Sequence, residues 1–367
     1  MSHPLVNARI SAIPPTVPFV GPEALMRASG KGFQARIGAN ESVFGPSPKA
    51  IAVMQQAASD NWMYADPESH DLRVAIAGHM GFARDNVVIG EGIDGLLGLT
   101  LHIVLSPGET VVTSDGAYPT FNFHVAMHSG HLVKVPYRDD KEDLAALLET
   151  AKREKARVLY VSNPDNPMGS WWPAGEIAQL MDQVPDDMLL ILDEAYGDTA
   201  PSGTMPSADV SRQNVLRYRT FSKAYGLAGA RIGYCFGPSE LICEFEKVRN
   251  HYGLNRVGQL GALAALEDQA YLAEAVTNIS ASRDRIADIA RANGLIPLPS
   301  ATNFVAIDCG RDGAHAKQVL DGILKRGVFI RMPGATPLNR CIRVSCGTDE
   351  DLDLFAQSLA ESLADIG

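Results

Sequence analysis

The sequence predicts an α/β fold: a large domain on a mostly parallel central sheet flanked by helices, with a smaller α+β domain from the C-terminal region and the N-terminal arm. Three observations predict it. Short apolar runs alternate with helix-period segments through the first two thirds of the chain, the pattern of a parallel sheet with helical crossovers. The tail has a different rhythm, two β-like runs flanking one helix. The length, 367 residues, exceeds what one core usually takes.

Residues 1–22 are proline-rich and aperiodic and read as an arm. Gly45-Pro46-Ser47-Pro48 turns the chain into a helix over 49–58, and a second helix is expected over 69–80. Strands are expected at 86–89, 109–113, 131–135, 157–162, 188–192 and 215–221. Helices at 95–104, 118–129 and 141–154 separate the first four. A long helical stretch covers about 238–291, and β-like runs at 303–308 and 341–345 flank a helix at 313–326. The expected division is an arm, 1–45, joining the small domain, then a large domain, 46–255, and a small domain, 256–367.

Lys and Arg number 32 against 43 Asp and Glu, a net charge of −11. That balance disfavours nucleic acid and anionic membrane as partners. Hydrophobic residues make up 46% and charged residues 20%, as in a globular protein. Five cysteines without a C-x-x-C pair argue against a disulfide framework or a cysteine zinc site. No apolar stretch has signal-peptide or membrane-span length, so a soluble, cytoplasmic protein is expected.

Four segments carry chemistry. Gly90-Glu91-Gly92-Ile93-Asp94-Gly95 matches G-x-G-x-x-G after a strand and before a helix, with Asp115 near the next strand's end, as in a dinucleotide fingerprint. The safer content is that amides at a helix N-terminus attract a phosphate, whichever cofactor carries it. Asn163-Pro164-Asp165-Asn166-Pro167-Met168-Gly169 makes a rigid loop at a strand's C-terminal end, where ligands of open α/β sheets bind. It also reads as an ordinary Asx turn. The apolar run 188–192 delivers Asp193, with Tyr196 three residues on; the acid is a helix cap or a ligand contact. Finally, Thr220, Ser222 and Lys223 follow another strand, and Arg231 returns eight residues later.

Together these groups suit pyridoxal phosphate. A lysine amine forms a Schiff base with an aldehyde cofactor, and a carboxylate keeps a pyridine nitrogen protonated. Tyrosine and asparagine bind a phenolic oxygen. Hydroxyls, a helix N-terminus and an arginine clamp a phosphate.

From about residue 40 to 347, these motifs and their order resemble the fold-type I pyridoxal-phosphate aminotransferases, closest to the histidinol-phosphate aminotransferase group. The resemblance implies that Lys223 is the Schiff-base lysine and proton shuttle, that Asp193 pairs with the pyridinium nitrogen, and that Asn166 and Tyr196 bind the phenolic oxygen. Thr220, Ser222, Arg231 and the amides of Gly92, Ile93 and Asp94 would hold the phosphate, which explains the glycine motif without a dinucleotide. Phe121, in Tyr118-Pro119-Thr120-Phe121, falls where the family stacks an aromatic ring on the cofactor. Tyr64 matches a tyrosine that reaches the partner subunit's phosphate, implying a homodimer with shared active sites. Arg343, assisted by Arg331, would grip the substrate's anionic group, and Asn40 and Glu41 would line the substrate side. The implied activity is transfer of an amino group between histidinol phosphate, or an aromatic or other amino acid, and a 2-oxo acid such as 2-oxoglutarate. A decarboxylase of a phosphorylated amino acid on the same scaffold and an NAD-dependent oxidoreductase are the alternatives.

The sequence departs from the family pattern at Met168, in place of a threonine, at Ser42 and Val43 in the opening motif, at Gly95 in the phosphate turn, at Gly197 and Asp198, and over 332–337. Several of these lie on the expected substrate side. His124, His128 and His131 share a local spacing that suggests a metal cluster, but no H-E-x-x-H or acidic third ligand accompanies them, and no metal is expected. Trp171-Trp172 reads as packing or a dimer contact, and Asp349-Glu350-Asp351 as a helix start.

Overall fold

The computed structural model describes residues 3–14 and 20–367. Its main sheet has seven strands: β1 Val87–Glu91, β2 Thr110–Ser114, β3 His131–Val135, β4 Val158–Ser162, β5 Leu189–Asp193, β6 Val215–Thr220 and β7 Ile232–Phe236. Their order is β1-β7-β6-β5-β4-β2-β3. Neighbours from β6 to β3 are parallel, and β7 runs antiparallel to both β6 and β1.

The central strands are apolar on both faces because helices cover both. Side chains alternate across a strand, so β4 divides its residues. Val158 and Tyr160 join a core with α3 (Gly92–Val104). Leu159 and Val161 join one with α5 (Leu144–Arg153) and α6 (Ala174–Gln183). The remaining helices of this layer are α1 (Pro48–Ala57), α2 (His70–Met80) and α4 (Pro119–Met127). Ser47 caps α1 by accepting from the Ala50 amide, and Asp143 caps α5 through that of Ala146.

The dinucleotide reading fails on topology. In a βαβ fingerprint the glycine-bearing strand pairs in parallel with a neighbouring strand. Here β1 is an edge strand bonded only to antiparallel β7, and β2 lies across the sheet from it.

The long stretch expected over 238–291 is broken. A short helix, Ser239–Ile242, is followed after a turn by α7 (Arg256–Glu267) and α8 (Gln269–Ala292). Asn255 caps α7 by accepting from the Gly258 amide. Ala262, Ala265 and Leu266 of α7 share a core with Ala50, Leu72 and Ile76. The expected boundary lies at 255, whereas α7 and Leu272 at the start of α8 pack on this core, and from Ile279 onward α8 joins the core of the second unit.

The second unit pairs β8 (Phe304–Asp308) antiparallel with β9 (Cys341–Ser345) and with Ile296–Pro297. Helices α8, α9 (Gly313–Lys325) and α10 (Asp349–Ile366) pack over its core. The two-residue strand Ala35–Arg36 pairs with Val328–Phe329, and Ile37 enters the same core, so this part of the arm belongs here. The acidic run 349–351 is the first turn of α10, closed by a reciprocal Thr348–Asp351 capping box. Among the described residues no helix is long and apolar enough to cross a membrane.

Behind β5, the buried Glu194 accepts from Arg217 at 2.8 Å and from Arg219 at 2.9 Å. Arg217, 1% exposed, also donates to the carbonyls of Pro206 and Ser207, tying that loop to the sheet. Breaking a buried pair from one side leaves a charge uncompensated. Arg217→Ala is expected to lower unfolding free energy by about 3–5 kcal/mol, measured by chemical denaturation against the wild-type chain.

Candidate functional site

The parallel strands deliver their C-terminal residues to one edge of the sheet, the usual place for a ligand in an open α/β fold. A cavity of about 370 Å³ lies there, within the range of small-molecule sites. Its lining includes Asn40, Glu41, Ile93, Asp94, Asn166, Asp193, Tyr196, Thr220, Ser222, Lys223, Arg231, Arg331 and Arg343, so residues far apart in sequence meet in one space.

Lys223 comes three residues after the end of β6. Its Nζ donates to the Asn40 carbonyl at 3.1 Å. Gly226, at φ 69, has no side chain to keep this turn off the Gly45 backbone. Burial pulls the amine down to about 8, helped by Arg343 and Arg231 and opposed by Glu41 and Asp193. Asp193 is the last residue of β5. One carboxylate oxygen accepts from the Ala195 amide at 3.0 Å, the other from the Tyr160 hydroxyl at 2.7 Å. Burial pushes this acid up to about 6, and those hydrogen bonds oppose it.

Thr220 donates to the Ser222 hydroxyl at 2.9 Å. Arg231, at φ 58, lays its guanidinium over Gly92 at the start of α3. Gly92 has φ 75, and a Cβ there would collide with that guanidinium. Gly92 therefore backs the site, while Ile93 and Asp94 face the cavity.

The opposite wall comes from the second unit. Arg343, on β9, donates to Asn166 Oδ1 at 2.6 Å and lies 5.1 Å from the Phe304 ring centre. Burial pulls it down to about 10. A backbone bridge between residues 331 and 343 brings Arg331 alongside. Asn40 joins the two halves. Its side chain donates to the Tyr196 hydroxyl at 2.9 Å, and its carbonyl accepts from Asn303 at 3.0 Å as well as from Lys223. Its amide donates to Ser345 Oγ, which in turn donates to Asn40 Oδ1.

Two expected residues lie elsewhere. Phe121 is 1% exposed and stacks on Tyr160, with ring centres 4.2 Å apart, inside the core beneath the sheet edge. Tyr118, from the same segment, lines the cavity instead. Tyr118 is the N-cap of α4, with a non-helical backbone (φ −41, ψ 107), so its side chain does not follow the helix, whereas Phe121 lies within α4 and is buried in the core. Tyr64 is outside this cavity, 76% exposed, its ring centre 4.6 Å from that of Tyr252.

The histidines have local partners: His124 meets Asp94 at 3.1 Å, and His128 donates to the His124 carbonyl. Trp172 packs on the α5–α6 core and donates through Nε1 to the Glu142 carbonyl. Tyr118, Tyr160, Asn303 and Ser345 are not among the site residues expected from the sequence. A tyrosine before a helix-starting proline is a usable signal for Tyr118; the other three emerge only from strand register and from contacts between the two units.

A family model for aminotransferase class I and II matches residues 34–359. The chain is 34% identical over 334 residues to histidinol-phosphate aminotransferase 1 of Mesorhizobium japonicum, covering 90% of each protein. It is 32% identical over 365 residues to histidinol-phosphate aminotransferase of Moorella thermoacetica, covering 98% of this chain and 94% of the relative. Among solved structures it resembles histidinol-phosphate aminotransferase from Sinorhizobium meliloti in complex with pyridoxal 5'-phosphate, with 51% identity, a TM-score of 0.97, and 100% and 99% coverage.

The lowered proton affinity of Lys223 has a stability consequence. An unfolded lysine keeps its proton to an ordinary value near 10.5, while the buried one loses it near 8. Between these values the unfolded state binds more protons, so stability rises with pH. Lys223→Met is therefore expected to stabilise the cofactor-free chain at pH 7, with the gain shrinking between pH 8 and 10.5. Denaturation midpoints across that range measure it; a gain independent of pH would contradict it.

Proposed function

The chain belongs to the class I and II aminotransferases, and we propose that it moves an amino group from histidinol phosphate, or an aromatic or other amino acid, to a 2-oxo acid such as 2-oxoglutarate. The observation that carries this reading is the gathering of an amine, the buried carboxylate of Asp193 and three arginines around a single cavity, the other groups being Lys223, Arg231, Arg331 and Arg343. The names of the relatives at 90–98% coverage support histidinol phosphate as the donor.

The residues present fit pyridoxal phosphate. The amine holds its proton loosely, a buried acid lies in the same cavity, and the lack of a side chain at Gly92 lets the Arg231 guanidinium sit against the start of α3. When bound, this cofactor supplies an aldehyde for the amino group and a ring that takes up electrons. In the proposal Lys223 anchors it, then takes the proton from the substrate α-carbon and returns it, a task suited to a base with affinity near the working pH. Asp193 keeps the ring nitrogen protonated, and Asn166 and Tyr196 hold the phenolic oxygen. Thr220, Ser222, Arg231 and the first amides of α3 bind the phosphate. Tyr118 takes the place expected of Phe121 as the aromatic wall. Arg343, with Arg331, receives the substrate's anionic group, beside Asn40 and Glu41.

The reading extends to a homodimer in which Tyr64 reaches the partner's site. The exposed Tyr64–Tyr252 pair, with Trp62 80% exposed nearby in sequence, supports such a surface. The proposed division is an N-terminal arm joining a small domain, and a large cofactor domain that includes α7. The proposed location is the cytoplasm.

The first test is the visible spectrum of the purified protein with pyridoxal phosphate, then borohydride reduction and peptide mapping. A pyridoxyl group on Lys223 is the expected result; a colourless protein without adduct would sink the reading. Lys223→Ala is expected to fold and to lose turnover by at least about 10²–10⁴, and substantial turnover without added amine would contradict its role. Arg343→Ala is expected to raise KM for 2-oxoglutarate by about 10–100-fold, as for loss of a charge-assisted hydrogen bond. Initial rates over a range of 2-oxo acid concentrations, followed by a panel of histidinol phosphate, aromatic and aliphatic donors, measure both affinity and donor choice.

A further inference from the structure

Tyr160 lies mid-way along β4 and is fully buried. Strand register sets Ser162 opposite Asp193 and Tyr160 opposite Ile191, so the phenol starts one pleat short of the carboxylate and reaches forward to it. Its hydroxyl is 2.7 Å from Asp193 Oδ2. The hydroxyl of Ser162 donates to the same phenol oxygen at 3.3 Å, which leaves the phenol's own proton for Asp193. Stacking on Phe121 at 4.2 Å and 19° fixes the ring.

A buried phenol needs a partner, but a neutral one suffices: Tyr218, in the same layer, has Thr100 at 2.6 Å. Tyr160 instead meets a carboxylate that lines the cavity. We propose that Tyr160 is a positioning residue for transamination, holding Asp193 ionised and aimed into the cavity through its hydroxyl. This rests on the reading of Asp193 as the partner of the cofactor's ring nitrogen.

The other groups around Asp193 do not duplicate the effect. Lys223 attracts its charge from across the cavity, while Glu194, the next residue, repels it. Glu142, which accepts from the Ser162 amide, adds a second carboxyl behind β4. The phenols of Tyr118, Tyr196 and Tyr218 also face the acid, each raised above its ordinary value by burial, and stay neutral where Asp193 titrates. The Tyr160 hydrogen bond is the largest influence opposing burial at Asp193.

Tyr160→Phe keeps the stacked ring and removes one oxygen. In the pyridoxal-phosphate-loaded enzyme, the acid limb of kcat/KM and the visible spectrum against pH are expected to move up by about one unit, a tenfold change in proton affinity. KM for the donor should stay within about twofold, since the hydroxyl does not line the cavity. Site-specific 3-fluorotyrosine at position 160, a stronger donor of the same shape, should move the limb down, and it decides the matter if Tyr160→Phe fails to fold. An acid limb unmoved by the fluorinated residue, or by a folded Tyr160→Phe, overturns the proposal. Asp193→Asn is measured beside them. If it keeps near-full turnover, the reading of Asp193 fails and takes this proposal with it. If it loses turnover while the limb stays fixed in the Tyr160 variants, this proposal alone fails.

Discussion

A lysine amine taken out of water is the constraint on which the rest of this site depends. Desolvation disfavours the charged form, and the protein places Lys223 in a wall where two arginines add to that pressure. What offsets it is sparse: the carbonyl of Asn40, and the more distant carboxylates of Glu41 and Asp193. An amine held so loosely is suited to covalent and proton-transfer chemistry, and a surface lysine would not be.

The Asn40 carbonyl is itself a product of the second unit. Asn40 has φ 55, an uncommon backbone setting for a residue with a side chain. Ser345, Asn303 and Tyr196 satisfy it from three directions. Two of those partners belong to the strand β9 or the turn before β8, and the third follows β5. The cavity is thus a joint between two cores, and its polar contacts set how those cores meet. Arg343 adds to this, reaching from β9 to Asn166 in the loop after β4.

Beneath the cavity floor the sheet carries a second polar layer. Tyr160 serves Asp193, Ser162 bridges Tyr160 to Glu142 through its hydroxyl and amide, and Glu194 is neutralised by two arginines. Acids buried this close together would repel one another without such partners. Each accepts from at least one donor fixed on a strand, Tyr160, the Ser162 amide or the arginines of β6.

The strand-ending motifs and their chemistry are legible in the sequence. Asp193, Asn166, Lys223 and Arg231 each follow an apolar run or a glycine turn that can be read locally, and the alternation of runs implied one sheet edge for them all. The helices at α1, α2 and α5 were equally legible, because caps and periodicity are local signals. Tertiary structure decided the remainder. Strand β7 was hidden in a glycine-rich segment, and only pairing with β1 and β6 defines it. The G-x-G-x-x-G run looked alike in either fold, and sheet order alone separated them. That Tyr118 and not Phe121 lines the cavity turned on where α4 begins. The placement of α7 with α1 and α2 depended on which core its apolar face met. Local propensity acts over a few residues, whereas these outcomes arise from contacts between segments tens to hundreds of residues apart, and a single sequence carries no local record of them.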